Sequence, residues 1–195
     1  MKSNVRSYTD QEILDRVKTH AEGFIDYPKD YWCVWIRSNE DQFNVFDDKM
    51  YVFHGTEFKM VARATTNAGK NGLKNFESYN ADGVAVLKAD VIVYESHYLG
   101  LHKGKIMAYR QGKPWPYYRD NDKDDKAEEI GNVHMDIIYA NIHPADYNKG
   151  SKVEKEYING WSLACLVPAV RIEFDAFMTL LNRQKFLTNC ILNEF

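Results

Sequence analysis

The chain has 195 residues, of which 45% are apolar and 14% are aromatic. This is enough apolar material to bury the core of one globular domain. Its 25 lysines and arginines stand against 28 aspartates and glutamates, which gives a formal net charge of -3. Because proteins that bind nucleic acid or an anionic membrane surface usually present a basic surface, this balance speaks against both kinds of partner.

The N-terminal residues contain no apolar run of the length that a secretory signal needs, and no run anywhere is long enough to span a bilayer. We therefore expect a protein made in the cytoplasm without an export signal and without membrane insertion. The three cysteines, Cys33, Cys165 and Cys190, are too few and odd in number for a disulfide framework, so at least one thiol should be free.

The first predicted element is a helix. Residues Thr9–Glu12 form a capping-box pattern, and apolar residues up to Phe24 follow at helical spacing, so a helix is expected to end near Gly23. Residues 1–30 are thus interpreted as a helical lead-in. Short β-branched and aromatic runs with turn residues between them predict strands from 31 to about 66, with Asn44–Phe46 as one such run.

The middle of the chain is also rich in strand signals. Strands are predicted at residues 84–87, 91–94, 106–109 and 135–142. A charged loop is expected at 119–129. From Ile172 to Phe186 the apolar residues recur with a helical period, which predicts a closing helix that has Cys190 near its end. Cys33 and Cys190 are interpreted as small buried apolar side chains. The sum is a single β-rich α+β domain.

Two residues have a context that suggests chemistry. His143 follows an apolar run, and Cys165 lies 22 residues later in a second apolar run, with a polar loop between them. An imidazole beside a thiol can take its proton and leave a nucleophilic thiolate. The histidine then needs an acceptor for its other ring nitrogen, and both the Pro144 carbonyl and the Asp136 side chain are candidates.

Small residues before the cysteine favour the same interpretation. Ser162 and Ala164 would let backbone N–H groups approach the oxyanion of a tetrahedral intermediate. A cysteine between leucine and valine is also a common core residue, so the pattern of residue types alone leaves both roles open.

The stretch from Asn141 to Cys165 resembles the His...Ser-x-Gly-Cys active-site signature of the L,D-transpeptidase-like cysteine enzymes, which act on peptidoglycan stem peptides. It has Asn-Ile-His, then a polar loop, then Trp-Ser-Leu-Ala-Cys-Leu-Val. Further blocks, among them Thr65–Gly69 and Gly100–Lys105, extend the resemblance over about residues 31–185 and suggest a phage-borne branch of the group.

The resemblance implies that residues 31–195 form an L,D-transpeptidase-like catalytic domain, with the N-terminal and C-terminal helices packed on its sheets. It makes Cys165 the nucleophile, His143 the general base and Ser162 part of the turn that shapes the site. The implied reaction is acyl transfer from a stem peptide to water or to an amine, without a cofactor or a metal. The implied place of action is the cell wall, after lysis or from a phage particle.

Three residues depart from the family pattern. Ala164 replaces the glycine before the cysteine, and its methyl group would be strained if that position needed a positive φ. Leu163 stands where a histidine or arginine is common. Pro144 follows the histidine in place of glycine or serine and offers a carbonyl but no N–H.

Three other interpretations compete with this one. A zinc-dependent cell-wall peptidase would draw ligands from His97, His102, His134, Asp136 and His143, although no His-Glu-x-x-His motif is present. Without a metal, His97 and His102 are interpreted as surface or turn residues. Asp120, Asp122 and Asp124 alternate as at the start of a calcium loop that lacks the usual glycine. A non-catalytic phage structural or interaction protein is the remaining alternative.

Overall fold

The computed structural model describes residues 5–195 and shows a strand-rich α+β protein. The helices are α1 (Asp10–His20), α2 (Lys70–Asn75) and α3 (Arg171–Leu180). The strands are β1 (Tyr31–Arg37), β2 (Asp48–His54), β3 (Glu57–Thr65), β4 (Val84–Leu87), β5 (Val91–His102), β6 (Ile106–Gln111), β7 (Trp115–Asp120), β8 (His134–Asp136), β9 (Val167–Pro168) and β10 (Phe186–Asn193). Within this described part, no helix is both long and apolar enough to cross a bilayer.

The predicted N-terminal helix is confirmed, and so is its capping box. The Thr9 hydroxyl accepts a hydrogen bond from the Glu12 N–H, and the Glu12 carboxylate accepts one from the Thr9 N–H. The helix ends at His20 rather than near Gly23, because Ala21 takes an extended conformation with ψ 114°. Phe24 therefore lies outside the helix.

The strands form one seven-stranded sheet, in the order β6-β5-β10-β1-β2-β3-β9, and one three-stranded sheet, in the order β4-β7-β8. The central strands β1 and β10 are parallel. Side chains of β1 alternate between two cores: Trp32 packs in the core that contains α1, and Trp35 packs in the core that contains α3. The second core also includes Ile142 and Leu166, which flank the candidate site.

The end of the chain differs from the prediction. Helix α3 stops at Leu180, and Asn182 and Arg183 then adopt left-handed φ values of 43° and 64°, which turn the chain back. Phe186 begins strand β10 instead of continuing the helix. Cys190 thus lies in a central strand, fully buried, rather than at the end of a helix. As expected, Cys33 is also buried, and all three cysteines are free.

Two predicted strands are mostly irregular. Asn44–Phe46 makes only an isolated bridge, from Val45 to Tyr157, because Asn44 has φ 62°. The side-chain oxygen of Asn44 instead accepts hydrogen bonds from the backbone N–H groups of Lys70 and Asn159. In the stretch 135–142 only the short β8 forms a regular strand. The N–H groups of Ile138 and Ala140 donate to the Gln111 side chain, and Ile142 makes isolated bridges to Tyr109 and Leu166.

Candidate functional site

An open cleft of about 690 Å³ lies on the side of the molecule formed by the small sheet, helix α2 and the hairpin of β5 and β6. Four of the six residues singled out in the sequence line it: Cys165, His143, Ala164 and Asp136. The other two, Ser162 and Pro144, do not line the cleft but are adjacent in the chain to residues that do.

Two backbone hydrogen bonds bring His143 and Cys165 to the same wall. The Leu166 N–H donates to the Asn141 carbonyl at 3.0 Å, and the His143 N–H donates to the Leu166 carbonyl at 3.3 Å. Ile142 and Leu166 form a parallel bridge, and both are fully buried. Burial of this apolar pair therefore fixes the two segments that carry the candidate base and nucleophile.

Polar side chains of the β5–β6 hairpin hold the segment before His143. The Gln111 side-chain oxygen accepts from the N–H groups of Ile138 and Ala140, at 3.0 Å each. The ring of His97 bonds to the Ala140 carbonyl through Nε2 at 2.7 Å, so Nε2 carries the proton. His97 is 1% exposed, and its interpretation as a surface residue is wrong. Its hydrogen bonds explain how a polar ring is accommodated in the interior.

The tautomer of His143 is fixed by a neighbouring carbonyl. Nδ1 lies 3.1 Å from the Pro144 carbonyl oxygen. A carbonyl can only accept, so Nδ1 carries the proton and Nε2 has the lone pair that a base needs. Of the two acceptors considered from the sequence, Pro144 takes this place, while the Asp136 carboxylate accepts from the Ile137 N–H. Burial lowers the pKa of His143 to about 3, so the ring is neutral at pH 7.

The thiol of Cys165 is also neutral at rest. Its Sγ donates to the Tyr139 carbonyl at 3.7 Å. Burial raises the pKa of Cys165 to about 11, although a backbone N–H of Asn141 and the charge of Lys103 act in the opposite direction. Within residues 5–195, Sγ makes no hydrogen bond to His143. The expected thiolate and imidazolium pair is therefore not formed in this state.

The turn before Cys165 is ordered and unstrained. The Ser162 hydroxyl donates to the Cys165 carbonyl at 2.8 Å. Ala164 does not have a positive φ, so its methyl group carries no left-handed strain. In the described part of the chain, the N–H groups of Ala164 and Cys165 have no hydrogen-bond partner. They are therefore free to donate to an oxyanion formed at this cysteine.

His102 is a site residue that the sequence interpretation missed. It is 3% exposed rather than a surface residue, and its ring stacks on that of His143 with centroids 4.1 Å apart. Tyr147 packs edge-on against both His102 and Trp161. Desolvation, followed by the charge of a Cys165 thiolate, raises the pKa of Tyr147.

The residues considered for zinc do not form a three-ligand cluster in the described part of the chain, whereas two aspartates of the calcium-like pattern belong to one. Among residues 5–195, the only three potential ligands within 4.8 Å of one another are Asp122, Asp124 and Glu128, in the charged loop. Asp120, the first aspartate of the calcium-like pattern, is buried and accepts from the Glu128 N–H. Of the histidines suggested for zinc, His102 and His143 lie together, but His134 is exposed on β8 and His97 is bonded to a carbonyl.

Comparisons of the chain with protein-family models, with curated proteins and with solved structures find no match. The functional interpretation therefore depends on the geometry of the cleft and on the sequence pattern around it.

Proposed function

We propose that the protein is a cysteine-dependent acyl-transfer enzyme with Cys165 as its nucleophile and His143 as its general base. The observation that carries this proposal is that both side chains line one open cleft while the Pro144 carbonyl holds the His143 proton on Nδ1. The free lone pair on Nε2 belongs to the nitrogen that a general base uses. A buried histidine with a purely structural role would have no need of a cleft.

The neutral resting pair defines the order of events. Nε2 of His143 takes the thiol proton as Sγ of Cys165 attacks the substrate carbonyl, and the carbonyl electrons move to its oxygen. The N–H groups of Ala164 and Cys165 are available to that oxyanion. The imidazolium then gives the proton to the departing amine, the C–N bond breaks, and a thioester remains. Water or a second amine resolves the thioester and regenerates the thiol.

The proposed substrates are peptidoglycan stem peptides. The pattern of residues 141–165, with histidine, a polar loop and Ser-Leu-Ala-Cys, supports this substrate class and an L,D-transpeptidase-like fold for residues 31–195. Water as the acceptor makes the protein a lytic or trimming peptidase, and an amine makes it a cross-linking enzyme. A phage origin would place the reaction at the wall, after lysis or from the particle.

A second candidate is a non-catalytic interaction protein that uses the same cleft. The raised pKa of Cys165 favours it, because a thiol that stays protonated at pH 7 is a weak nucleophile. In the proposed enzyme, by contrast, substrate binding triggers the transfer of the Cys165 thiol proton to His143.

Digestion of purified stem peptides, followed by mass spectrometry of the products, tests the enzyme. We expect wild type to release an amino acid or to join two peptides, and we expect Cys165→Ser and His143→Gln to be inactive with unchanged unfolding midpoints. His20→Gln is the matched control, since His20 is exposed on α1 and outside the cleft. Equal turnover by wild type and Cys165→Ser would rule out the proposed nucleophile.

A further inference from the structure

The cleft is positively charged in a protein whose net charge is -3. Its lining contains Lys103, Arg110 and Arg119 but only one acidic side chain, Asp136. Arg119 donates to the Gly83 carbonyl, and Arg110 lies over an aromatic ring. Within the described residues, none of the three cations has a carboxylate partner at ion-pair distance. An unpaired cluster of cations in a concave wall raises the local concentration of anions.

A buried N–H group lies in the same wall. The Gln111 N–H donates to the side-chain oxygen of Asn141, so the Asn141 amide nitrogen is the group that donates to Nδ1 of His102 at 3.3 Å. The proton of the neutral His102 ring is thus on Nε2. That nitrogen is buried and has no partner among the described residues. Because an unsatisfied buried donor costs free energy, a bound acceptor at this position would be stabilised.

Lys103 lies next to this donor and to the reacting groups. Its charge contributes to the lowered pKa values of His102 and His143, and it also acts to lower that of Cys165. Lys103 is the first residue of the tight turn between β5 and β6, with φ 49°, and Gly104 follows with φ 68°. Lys103 therefore lines the cleft from a tight hairpin turn rather than from a long loop.

We propose that His102 and Lys103 bind a carboxylate group of the acyl donor beside Cys165. The ammonium group supplies charge, and the Nε2–H group supplies a directed hydrogen bond to one carboxylate oxygen. The identity of the reacting bond rests on the proposed function, but binding of the carboxylate does not depend on turnover. The two can therefore be measured separately.

Calorimetric titration with a ligand that has one carboxylate tests the site. The probe is Nα,Nε-diacetyl-L-lysyl-D-alanine, compared with its C-terminal carboxamide on the Cys165→Ser protein, which prevents turnover. We expect the acid to bind about tenfold more tightly than the amide, as for a charge-assisted hydrogen bond. Lys103→Asn should abolish this preference, and His102→Phe, which keeps a stacked ring, should reduce it.

The variants separate binding from folding. Asparagine is favoured at a left-handed position, so Lys103→Asn should keep or raise the unfolding midpoint. Lys105→Asn is the matched control, since Lys105 is exposed in the same hairpin and outside the cleft. Equal affinity for acid and amide, no binding of the acid at millimolar concentration, or equal losses in Lys103→Asn and Lys105→Asn would each overturn the proposal.

Acylation of Cys165 in wild type is the second readout. An acyl adduct that forms equally with acid and amide donors overturns the carboxylate site and leaves the proposed function standing. A carboxylate preference in binding without any adduct supports the site and counts against the enzyme.

Discussion

The imidazole rings of His102 and His143 stack with their centroids 4.1 Å apart and an interplanar angle of 23°. Burial lowers the pKa of His102 to about 4 and that of His143 to about 3, so both rings are neutral at pH 7. The proximity of His102 and of Lys103 lowers the pKa of His143 further, because each would repel a proton on that ring. An anion bound next to Lys103 would offset this repulsion and raise the pKa of His143, which makes it a stronger base when substrate is present.

The resting state of the thiol can be read from its reactivity. We expect alkylation of Cys165 by iodoacetamide to rise about tenfold per pH unit from pH 7 to 9.5, because the thiolate fraction grows in that way below the pKa. Because the pKa of Cys165 is about 11, the alkylation rate should not reach a plateau between pH 7 and 9.5. Peptide mass spectrometry separates Cys165 from the buried Cys33 and Cys190. A plateau that begins below pH 8 would indicate a preformed thiolate and imidazolium pair.

His97 should make stability depend on pH. Burial lowers its pKa in the folded protein to about 4, below the ordinary 6.5 of the unfolded chain. The unfolded chain therefore binds the proton first as pH falls, so the contribution of His97 is present above pH 6.5 and is lost towards pH 4. We expect the stability advantage of wild type over His97→Gln to shrink by about 3 kcal/mol across this window.

Urea unfolding of both proteins at pH 7, 5.5 and 4.5 provides the measurement. Glutamine can still donate to the Ala140 carbonyl, so the variant keeps the contact that holds the segment before His143. A difference in free energy of unfolding that is independent of pH would show that His97 titrates normally.

Gly69 supports the loop that leads to Cys165. A Cβ at this position would lie 2.5 Å from the Asn159 carbonyl oxygen, and the Gly69 N–H donates to the Ser162 carbonyl at 3.0 Å. Gly69→Ala must displace backbone, so we expect a loss of about 1–3 kcal/mol in stability and a slower acylation of Cys165. Gly150→Ala is the control for a loss of stability elsewhere, because the φ of 73° at Gly150 strains alanine although its Cβ would meet nothing within 4 Å. Equal acylation rates in the two variants would contradict the role of this loop.

Ala164→Gly tests whether the methyl group directly before Cys165 affects acylation. The present φ of Ala164 is not positive, so glycine relieves no strain. It adds freedom to the unfolded chain, which should lower stability by about 0.5–1 kcal/mol. We expect the acylation rate to be preserved. A large increase in rate would show that the methyl group obstructs the substrate.

Local signals predicted several elements correctly. The capping box at Thr9 specified the start of α1, and the apolar period after Ile172 specified α3. The same period wrongly predicted that the helix continues to Phe186. That residue begins β10, whose pairing with β1 is a contact between residues far apart in the chain. Helical spacing is local, whereas parallel pairing depends on the whole sheet.

The candidate site was predictable only in part. The residue types and polar loop between His143 and Cys165 suggested that they meet, and both line the cleft. His102 was missed because a histidine before a Lys-Gly turn is typical of an exposed hairpin. Its burial results from Asn141 and Tyr147, which come from a distant loop that folds over the end of β5.

The proposed function requires that Cys165 becomes acylated with the help of His143. Intact-protein mass spectrometry after incubation with a carbapenem tests it in wild type, Cys165→Ser, His143→Gln and the control His20→Gln. We predict one covalent adduct on Cys165 in wild type and His20→Gln, none in Cys165→Ser, and a rate in His143→Gln lower by about a hundredfold or more. No adduct in a folded wild type, or the same rate in wild type and His143→Gln, would contradict the account.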